Sequence, residues 1–364
     1  MLKSLTLKNF KPFENQSFEL RALTLLSGLN SSGKSSLLQS LLLLRQSYQQ
    51  KLLPDIGLAL NGDLVCIGTA QDALFEGAEE DIITFELDHD NTLNKWVFNY
   101  DDYDADVIKK YSDPEVSDNI YQSSLFTDNF CYLQAERISP KPYFETSYFQ
   151  VKQHKKIGNK GEFAPHFLSI YEDEEIANKN LAHPEQNLLN LKLQVEAWIG
   201  EISPGTRIEI ESYPRVDIVS LQYFYGLSKR YRSTNVGFGI TYTLPILIAL
   251  LSATPDTLIL LENPEAHLHP KGQSKMGELL ALAASCGVQI IVETHSDHIL
   301  NGIRLAVRRG VKPEDIQLHY FDRYLQKDQA ITKIISPRIY QDGGIDKWPD
   351  GFFDQAEKDL MELL

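Results

Sequence analysis

The sequence predicts an α/β fold, and three observations predict it. Residues 28–35 (GLNSSGKS) fit G-x-x-x-x-G-K-S/T at every fixed position, between an apolar run at 22–27 (ALTLLS) and helix formers at 34–44 (KSSLLQSLLLL). Two further runs, 257–261 (TLILL) and 289–292 (QIIV), have the composition of strands buried on both faces, and a helix-forming segment follows each. The first hundred residues carry alternating and hairpin patterns, which belong to an antiparallel portion.

In chain order, 2–7 (LKSLTL) alternate as a half-buried strand, and 8–15 (KNFKPFEN) read as a turn ended by Pro12. Strands follow at 17–20 and 22–27. The loop after them has the form of a phosphate cradle. Gly28 and Gly33 allow backbone angles and close approach that a side chain forbids. Successive N–H groups then point inward at a helix N-terminus, which favours anions. Lys34 is placed to reach β- and γ-phosphates, and the Ser35 hydroxyl to ligate Mg²⁺. Strand, loop and helix together argue against a chance Gly/Ser-rich turn. The helix runs to about residue 50, and its 41–44 leucines read as part of an amphipathic pattern.

A short strand is expected at 64–67, and a hairpin at 82–87 and 95–100 around His89-Asp90-Asn91. Residues 101–129 are acidic and weakly patterned, which predicts a long surface excursion. A strand at 130–133 leads into Gln134-Ala135-Glu136-Arg137, where Glu136 and Arg137 read as a structural ion pair, or alternatively as a contact to nucleotide or partner. A helix over 184–200 places Leu188, Leu191, Val195 and Trp198 on one face, but its heptads are not sustained and no coiled coil is expected. Strands at 207–210 and 216–221 precede Asn235-Val236-Gly237-Phe238-Gly239-Ile240, which runs into a helix at 242–251. Helices are expected at 271–285 and around 304–309. The tail alternates strands at 316–321 and 330–335, then closes with WPDGFFDQ (348–355) and a short helix. Trp348 to Phe353 reads as a plug that packs into the core rather than as a binding motif.

Composition bounds the function. The 364 residues allow one large or two modest domains, and 43% hydrophobic with 23% charged residues is ordinary for a globular core. No apolar run approaches a membrane span, and the N-terminal MLKSLTLKNF lacks a signal-peptide core. Cys66, Cys131 and Cys286 are far apart and show no metal or disulfide spacing, so a reducing cytoplasm is expected. The net charge of −15 argues against a uniformly basic nucleic-acid coat. Local basic clusters at 152–160, 229–232 and 304–309 read as solvated faces, with a strip for DNA as the alternative.

Two strand ends carry the remaining chemistry. Glu262 follows the 257–261 strand, where an NTPase holds Mg²⁺, and opens Glu262-Asn263-Pro264-Glu265-Ala266-His267-Leu268-His269. His295 follows the 289–292 strand, within reach of a γ-phosphate. His267 and His269 have no cysteine or third histidine nearby, so zinc is not expected there.

Through 1–50 and about 230–300 the chain resembles the ABC-type ATPases of the SMC, RecF and OLD group of AAA family ATPases, and its closing WPDGFFDQ is typical of one bacterial subgroup. The resemblance implies an ABC-type P-loop ATPase head with an antiparallel β portion and a mixed α/β insertion. It implies lobes at 1–100 and 206–364 around an inserted middle region at 101–205. It implies that Asn30, Ser31, Ser32, Gly33, Lys34, Ser35 and Ser36 bind ATP, that Glu262 is the acid of the Walker B strand, and that His295 is the switch histidine. His267-Leu268-His269 then lies in the D-loop, and Gln71 is a candidate metal-side Q-loop glutamine. Asn235 to Gly239 sits where Leu-Ser-Gly-Gly belongs and departs from it, but Gly237 and Gly239 still offer N–H groups to a γ-phosphate across a dimer. Asn263 stands where the family usually carries the glutamate that activates water, and an amide is a very poor base. Either Glu265 supplies that carboxylate, or hydrolysis is slow and the ATP-bound homodimer is a long-lived switch acting on a protein partner such as an effector or nuclease in phage defence. The alternative is a DNA-binding ATPase of repair or maintenance. An OLD-type nuclease would need a Toprim domain, and no spaced acidic cluster follows His295 to supply one.

Overall fold

The structure, a computed structural model, describes every residue except Asp101, Pro114, Lys327, Asp328 and Leu364, and describes 118, 326, 329, 356 and 357 by backbone alone. In chain order the elements are β1 (Leu2–Phe10), β2 (Phe13–Glu19), β3 (Leu23–Gly28), α1 (Lys34–Gln49), β4 (Gly57–Ala59), α2 (Ala70–Ala73), β5 (Ile82–His89), β6 (Thr92–Asn99) and β7 (Val107–Lys110). Next come β8 (Phe130–Leu133), β9 (Phe144–Glu145), α3 (Ala164–Tyr171), α4 (Leu191–Ile202), β10 (Thr206–Tyr213), β11 (Ile218–Tyr225), β12 (Tyr231–Arg232) and α5 (Phe238–Ser252). The chain ends with β13 (Leu258–Glu262), α6 (Pro270–Ser285), β14 (Gln289–Glu293), α7 (Asp297–Arg308), β15 (Ile316–Gln326), β16 (Gln329–Ile335) and α8 (Gln355–Leu363). They form two compact units. The first is Met1–Phe130, Ile316–Arg338 and Ile345–Leu364, and the second is Cys131–Asp315 with Ile339–Gly344. The expected lobe boundaries near 100 and 205 each fall inside a unit.

The first unit carries the antiparallel portion. Its sheet runs β2-β1-β5-β6-β7-β4, and every pairing is antiparallel. The alternation that predicts β1 is real burial: Leu2, Leu5, Leu7 and Phe10 face inward. The β5–β6 hairpin turns at Asp90 and Asn91, both at positive φ, as a two-residue turn of the favoured twist requires. A second group orders β3 beside β15, parallel, and β15 beside β16, antiparallel. β3 is buried at its first five positions, which is why its sequence is a plain apolar run.

Three expectations in this unit are corrected. The helix α1 is not amphipathic, because Leu41, Leu42, Leu43 and Leu44 are all buried. Its polar members bond inward: the Arg45 guanidinium donates to the carbonyls of Leu125 and Thr127 and lies 4.0 Å over the Phe130 ring. The 101–129 stretch is therefore no mere surface excursion. It contributes β7 to the sheet and buries Ile120, Leu125 and Phe126, while Asp101 and Pro114 lie outside the described residues. Its apolar residues are scattered among acids, so they show no period. Residues 64–67 form no strand. The Asn61–Cys66 bridge closes a turn there, and the strand is β4 instead.

In the second unit, β10, β11 and β12 form an antiparallel sheet with β9 on β11, and β13 pairs in parallel with β14. β13 and β14 are buried almost throughout, as parallel strands are. The helix expected at 184–200 begins only at Leu191. Buried Gln194 holds the chain before it, donating to the carbonyls of Gln186 and Leu188, and Leu188 is left exposed. The helix expected from 242 begins at Phe238, with Pro245 inside it. Among the described residues, no helix is long and apolar enough to cross a membrane.

Candidate functional site

In the first unit the 28–35 loop is a strained turn between β3 and α1. Gly28 has φ +131°, and a Cβ there would sit 2.1 Å from the Phe321 carbonyl oxygen of β15. Only glycine lets the two strands run this close. Ser31 and Gly33 also have positive φ (59° and 103°), and Gly33 caps α1 with no side-chain bond. The Lys34 side chain is buried, and its ammonium donates to the Gly28 and Leu29 carbonyls at 3.0 and 2.7 Å. Ser32 is buried and donates through Oγ to Leu29 O at 2.7 Å. Asn30, Ser31 and Ser35 are exposed, and Ser36 is buried. The first turn of α1 contains no acidic residue.

Two further residues brace this loop from the β15–β16 hairpin. Arg323 Nη1 donates to Ser31 O at 3.2 Å, and Thr332 Oγ1 donates to Ser32 O at 3.0 Å. Sequence reasoning misses both, because nothing local marks a strand residue that bonds a loop 292 or 300 residues away. The donor set suits a phosphate ligand with magnesium: a cation folded onto loop carbonyls, a helix N-terminus free of acids and an exposed serine hydroxyl. Gln71 is exposed on α2, its backbone N–H directed at Tyr103 O at 3.4 Å.

In the second unit the strand-end residues form a bonded cluster. Glu262 Oε1 accepts from the Tyr132 hydroxyl at 2.9 Å, and Oε2 accepts from the Ala135 N–H at 3.0 Å. Arg137 holds the backbone of the same loop, with Nη1 2.7 Å from Glu262 O and Nη2 2.5 Å from Asn263 O. Burial pulls the Arg137 guanidinium down to about 10, against the opposing pull of Glu265, Tyr242 and Glu262, so it is a cation at neutral pH. Burial first, and then the Glu262 carboxylate, push the Tyr132 hydroxyl far above its ordinary value, so it stays a donor. Asn263 lies at φ +44°, and its N–H donates to Glu293 O at 2.8 Å. Glu265 ties two loops together: Oε2 accepts from Thr294 Oγ1 and Oε1 from the His295 N–H, both at 2.8 Å. His295 is exposed beyond β14, and Ser296 caps α7 by accepting from the Ile299 N–H. Glu293 is buried beside Glu262 in the parallel register and is a further carboxylate at a strand end.

The expected Glu136–Arg137 ion pair does not form. Glu136 faces out to Lys160 at 3.1 Å, while Arg137 turns in. Asn235 and Gly237 are exposed just before α5, and Gly237 caps that helix. A Cβ on Gly239 would meet His267 O at 2.5 Å, so this glycine admits the 262–269 loop against α5. The His267 ring packs on Tyr242 at 4.8 Å, and His269 Nδ1 accepts from the Lys271 N–H at the start of α6. In the basic clusters, Arg230 pairs with Glu209, Arg309 with Glu278, and Lys229 lies over the Tyr231 ring. Phe352 is fully buried against Tyr320, Trp348 and Phe353, as a plug should be, although Trp348 is itself 48% exposed.

A family model described as "AAA domain, putative AbiEii toxin, Type IV TA system" matches residues 23–301. One described as "Protein of unknown function (DUF3696)" matches residues 311–363. No curated protein matches the chain. Among solved structures, the chain is similar to an SmcHead bound to the C-winged helix domain of ScpA, at 15% identity and TM-score 0.57, covering 93% of this chain and 98% of that one. It is also similar to the Pyrococcus furiosus Smc head domain with an extended coiled coil bound to the C-terminal domain of ScpA, at 13% identity and TM-score 0.54, covering 100% and 99%. At these identities the likeness is one of fold: an α/β head of the P-loop ATPase kind with antiparallel and mixed sheets.

Proposed function

Because the chain belongs to the AAA-domain family that its residues 23–301 match, we propose that it binds ATP with Mg²⁺, hydrolyses it slowly, and acts as a switch that dimerises around nucleotide to control a protein partner. The observation that carries the reading is the 28–35 loop, with Lys34 folded onto loop carbonyls at the start of a largely buried helix. In this reading the backbone of Asn30 to Ser36 and the Lys34 ammonium hold phosphates. Ser35 and Glu262 hold Mg²⁺, with Gln71 as a further metal-side group. Bound Mg²⁺ supplies charge neutralisation on the phosphate oxygens. His295 contacts the γ-phosphate, and Asn235, Gly237 and Gly239 serve it from a second copy.

Slow hydrolysis follows from the carboxylates. Asn263 is no base, and both oxygens of Glu265 already accept hydrogen bonds that tie its loop to the next. Those two bonds hold the Glu265 carboxylate in place as a loop tie, set to orient a water rather than to swing toward it. Asn263 and Glu265 therefore orient more than they abstract. The family description names a toxin and a type IV toxin–antitoxin system, and the similar Smc heads are described as bound to ScpA domains. Both support a protein partner, with an effector or nuclease of phage defence as the partner class. The second reading is a DNA-binding ATPase. It draws on lysines set over aromatic rings, Lys152 on Tyr148 and Lys155 on Tyr171.

ATP binding, turnover and mass measured across a protein-concentration series test the proposal. The expected result is tight Mg²⁺-dependent binding, a mass that doubles with ATP, and few turnovers. A chain that stays monomeric at saturating ATP and Mg²⁺ sinks the switch.

A further inference from the structure

We propose that residues 132–137 form a strap that positions the Glu262 carboxylate for its metal ion, with Tyr132 and Arg137 as the positioning residues. The inference rests on the ATP and Mg²⁺ reading above and adds to it a device that no loop motif contains. One six-residue stretch holds Glu262 and its neighbour in four places. The Tyr132 hydroxyl and the Ala135 N–H each take one carboxylate oxygen, at 2.9 and 3.0 Å. The Arg137 fork takes the two backbone carbonyls that follow, Glu262 O and Asn263 O, at 2.7 and 2.5 Å. Arg137 Nη1 also bonds Gln134 O at 3.1 Å, which closes the strap on itself. The strap is moored in turn: Gln134 N–H donates to Asn159 O and Ile138 N–H to Lys160 O, at 3.0 and 2.8 Å.

This arrangement does more than fill space. A carboxylate oxygen has two lone-pair sites, so one donor on each oxygen leaves one site on each in a fixed direction. Without the donors the carboxylate rotates, and a metal ion must pay the ordering entropy itself. Arg137 is 2% exposed, and its Nε is buried with no hydrogen-bond partner among the described residues. Burying a guanidinium with one donor unmade is costly, and an apolar residue would fill the same volume without that cost. The cost is offset by what the fork does: it fixes the backbone from which Glu262 and Asn263 project.

The test uses the full chain, a fluorescent ATP analogue and titrations of Mg²⁺ and Mn²⁺, with bound Mn²⁺ read by electron paramagnetic resonance. Tyr132→Phe keeps the buried ring and removes one donor. Its expected effect is a roughly tenfold rise in the metal concentration for half-saturation, with nucleotide affinity in EDTA within about twofold of wild type. Arg137→Lys should shift the same midpoint, and if that variant does not fold, Tyr132→Phe decides alone. Unchanged metal midpoints in Tyr132→Phe overturn the strap. So does equal weakening of metal-free and metal-bound nucleotide binding, the mark of a purely structural tyrosine. If the wild type itself bound no nucleotide, the reading of function would fall first and the strap with it.

Discussion

Asn263 occupies the left-handed region at φ +44°, with its N–H on Glu293 O and its own carbonyl on Arg137. Asparagine visits that region more readily than other side chains, so its presence has a conformational reason beside the catalytic one proposed. Asn263→Glu separates the two. It should cost about 1 kcal/mol of stability for the backbone conformation, and raise ATP turnover by at least about tenfold if a missing base limits the rate. Flat turnover in that variant would put the slow step elsewhere. Gly28 makes the opposite point, because here the conformation and the packing act together. Gly28→Ala would force a Cβ to within 2.1 Å of Phe321 O at φ +131°. The expected loss is about 3 kcal/mol or more, read from urea melts, with ATP binding lost in parallel. A Gly28→Ala chain with wild-type stability would mean that β3 and β15 can part without cost.

At the scale of elements, the β15–β16 hairpin is the brace of the phosphate loop. Arg323 and Thr332 hold consecutive loop carbonyls, those of Ser31 and Ser32. The double variant Arg323→Met with Thr332→Val should weaken ATP binding by roughly five- to 150-fold, since the two lost bonds are together worth about 1–3 kcal/mol. Calorimetry would measure that weakening, while the circular dichroism spectrum stays unchanged. An unweakened double variant would reduce the hairpin to a bystander. This brace also marks the limit of what the sequence discloses. The loop, β13, β14 and the β5–β6 hairpin are legible because local chemistry dictates each: glycines for the turn, plain apolar runs for two-sided burial, Asp90-Asn91 for the hairpin turn. Tyr132, Arg137, Arg323 and Thr332 are not legible, because their partners lie 125 to 300 residues away and leave no local period. Glu136-Arg137 misleads for a related reason. Neighbours suggest a pair, but the chain sends Arg137 inward and Glu136 out to Lys160. The buried polar residues of α1 are hidden likewise, since Arg45 and Gln46 look like a wet face until their carbonyl partners are seen.

For the whole molecule, pH and salt give two readings of unlike kind. His319 in β15 is buried between Glu19 O and Ser336 Oγ, 2.8 Å from each, and burial lowers its pKa from the ordinary 6.5. The unfolded chain takes up that proton near 6.5 and the folded chain only at lower pH. Its share of stability is therefore full above 6.5 and falls as pH drops through the folded value. Urea midpoints from pH 8 to 5 should fall more steeply in wild type than in His319→Gln; equal slopes would remove His319 from the account. Salt separates the two proposed functions. Two copies that each carry −15 repel as they approach, so a nucleotide-driven dimer must form against their mutual field. Between about 0.01 and 0.15 M salt the screening length shrinks from about 30 to about 8 Å. ATP-driven dimerisation should therefore tighten over that range, as sedimentation at fixed Mg²⁺ would record. DNA binding by lysine and arginine strips must do the reverse, losing affinity with a slope of about −0.9 per phosphate contact in log K against log salt. The signs are opposite, so one titration in the presence of ATP and a short duplex discriminates them. Tightening of the dimer with no duplex bound at the lowest salt would leave the switch alone. A salt-sensitive complex with DNA that quickens ATP turnover would move the function to the nucleic acid, with Lys152 and Lys155 as the first residues to replace.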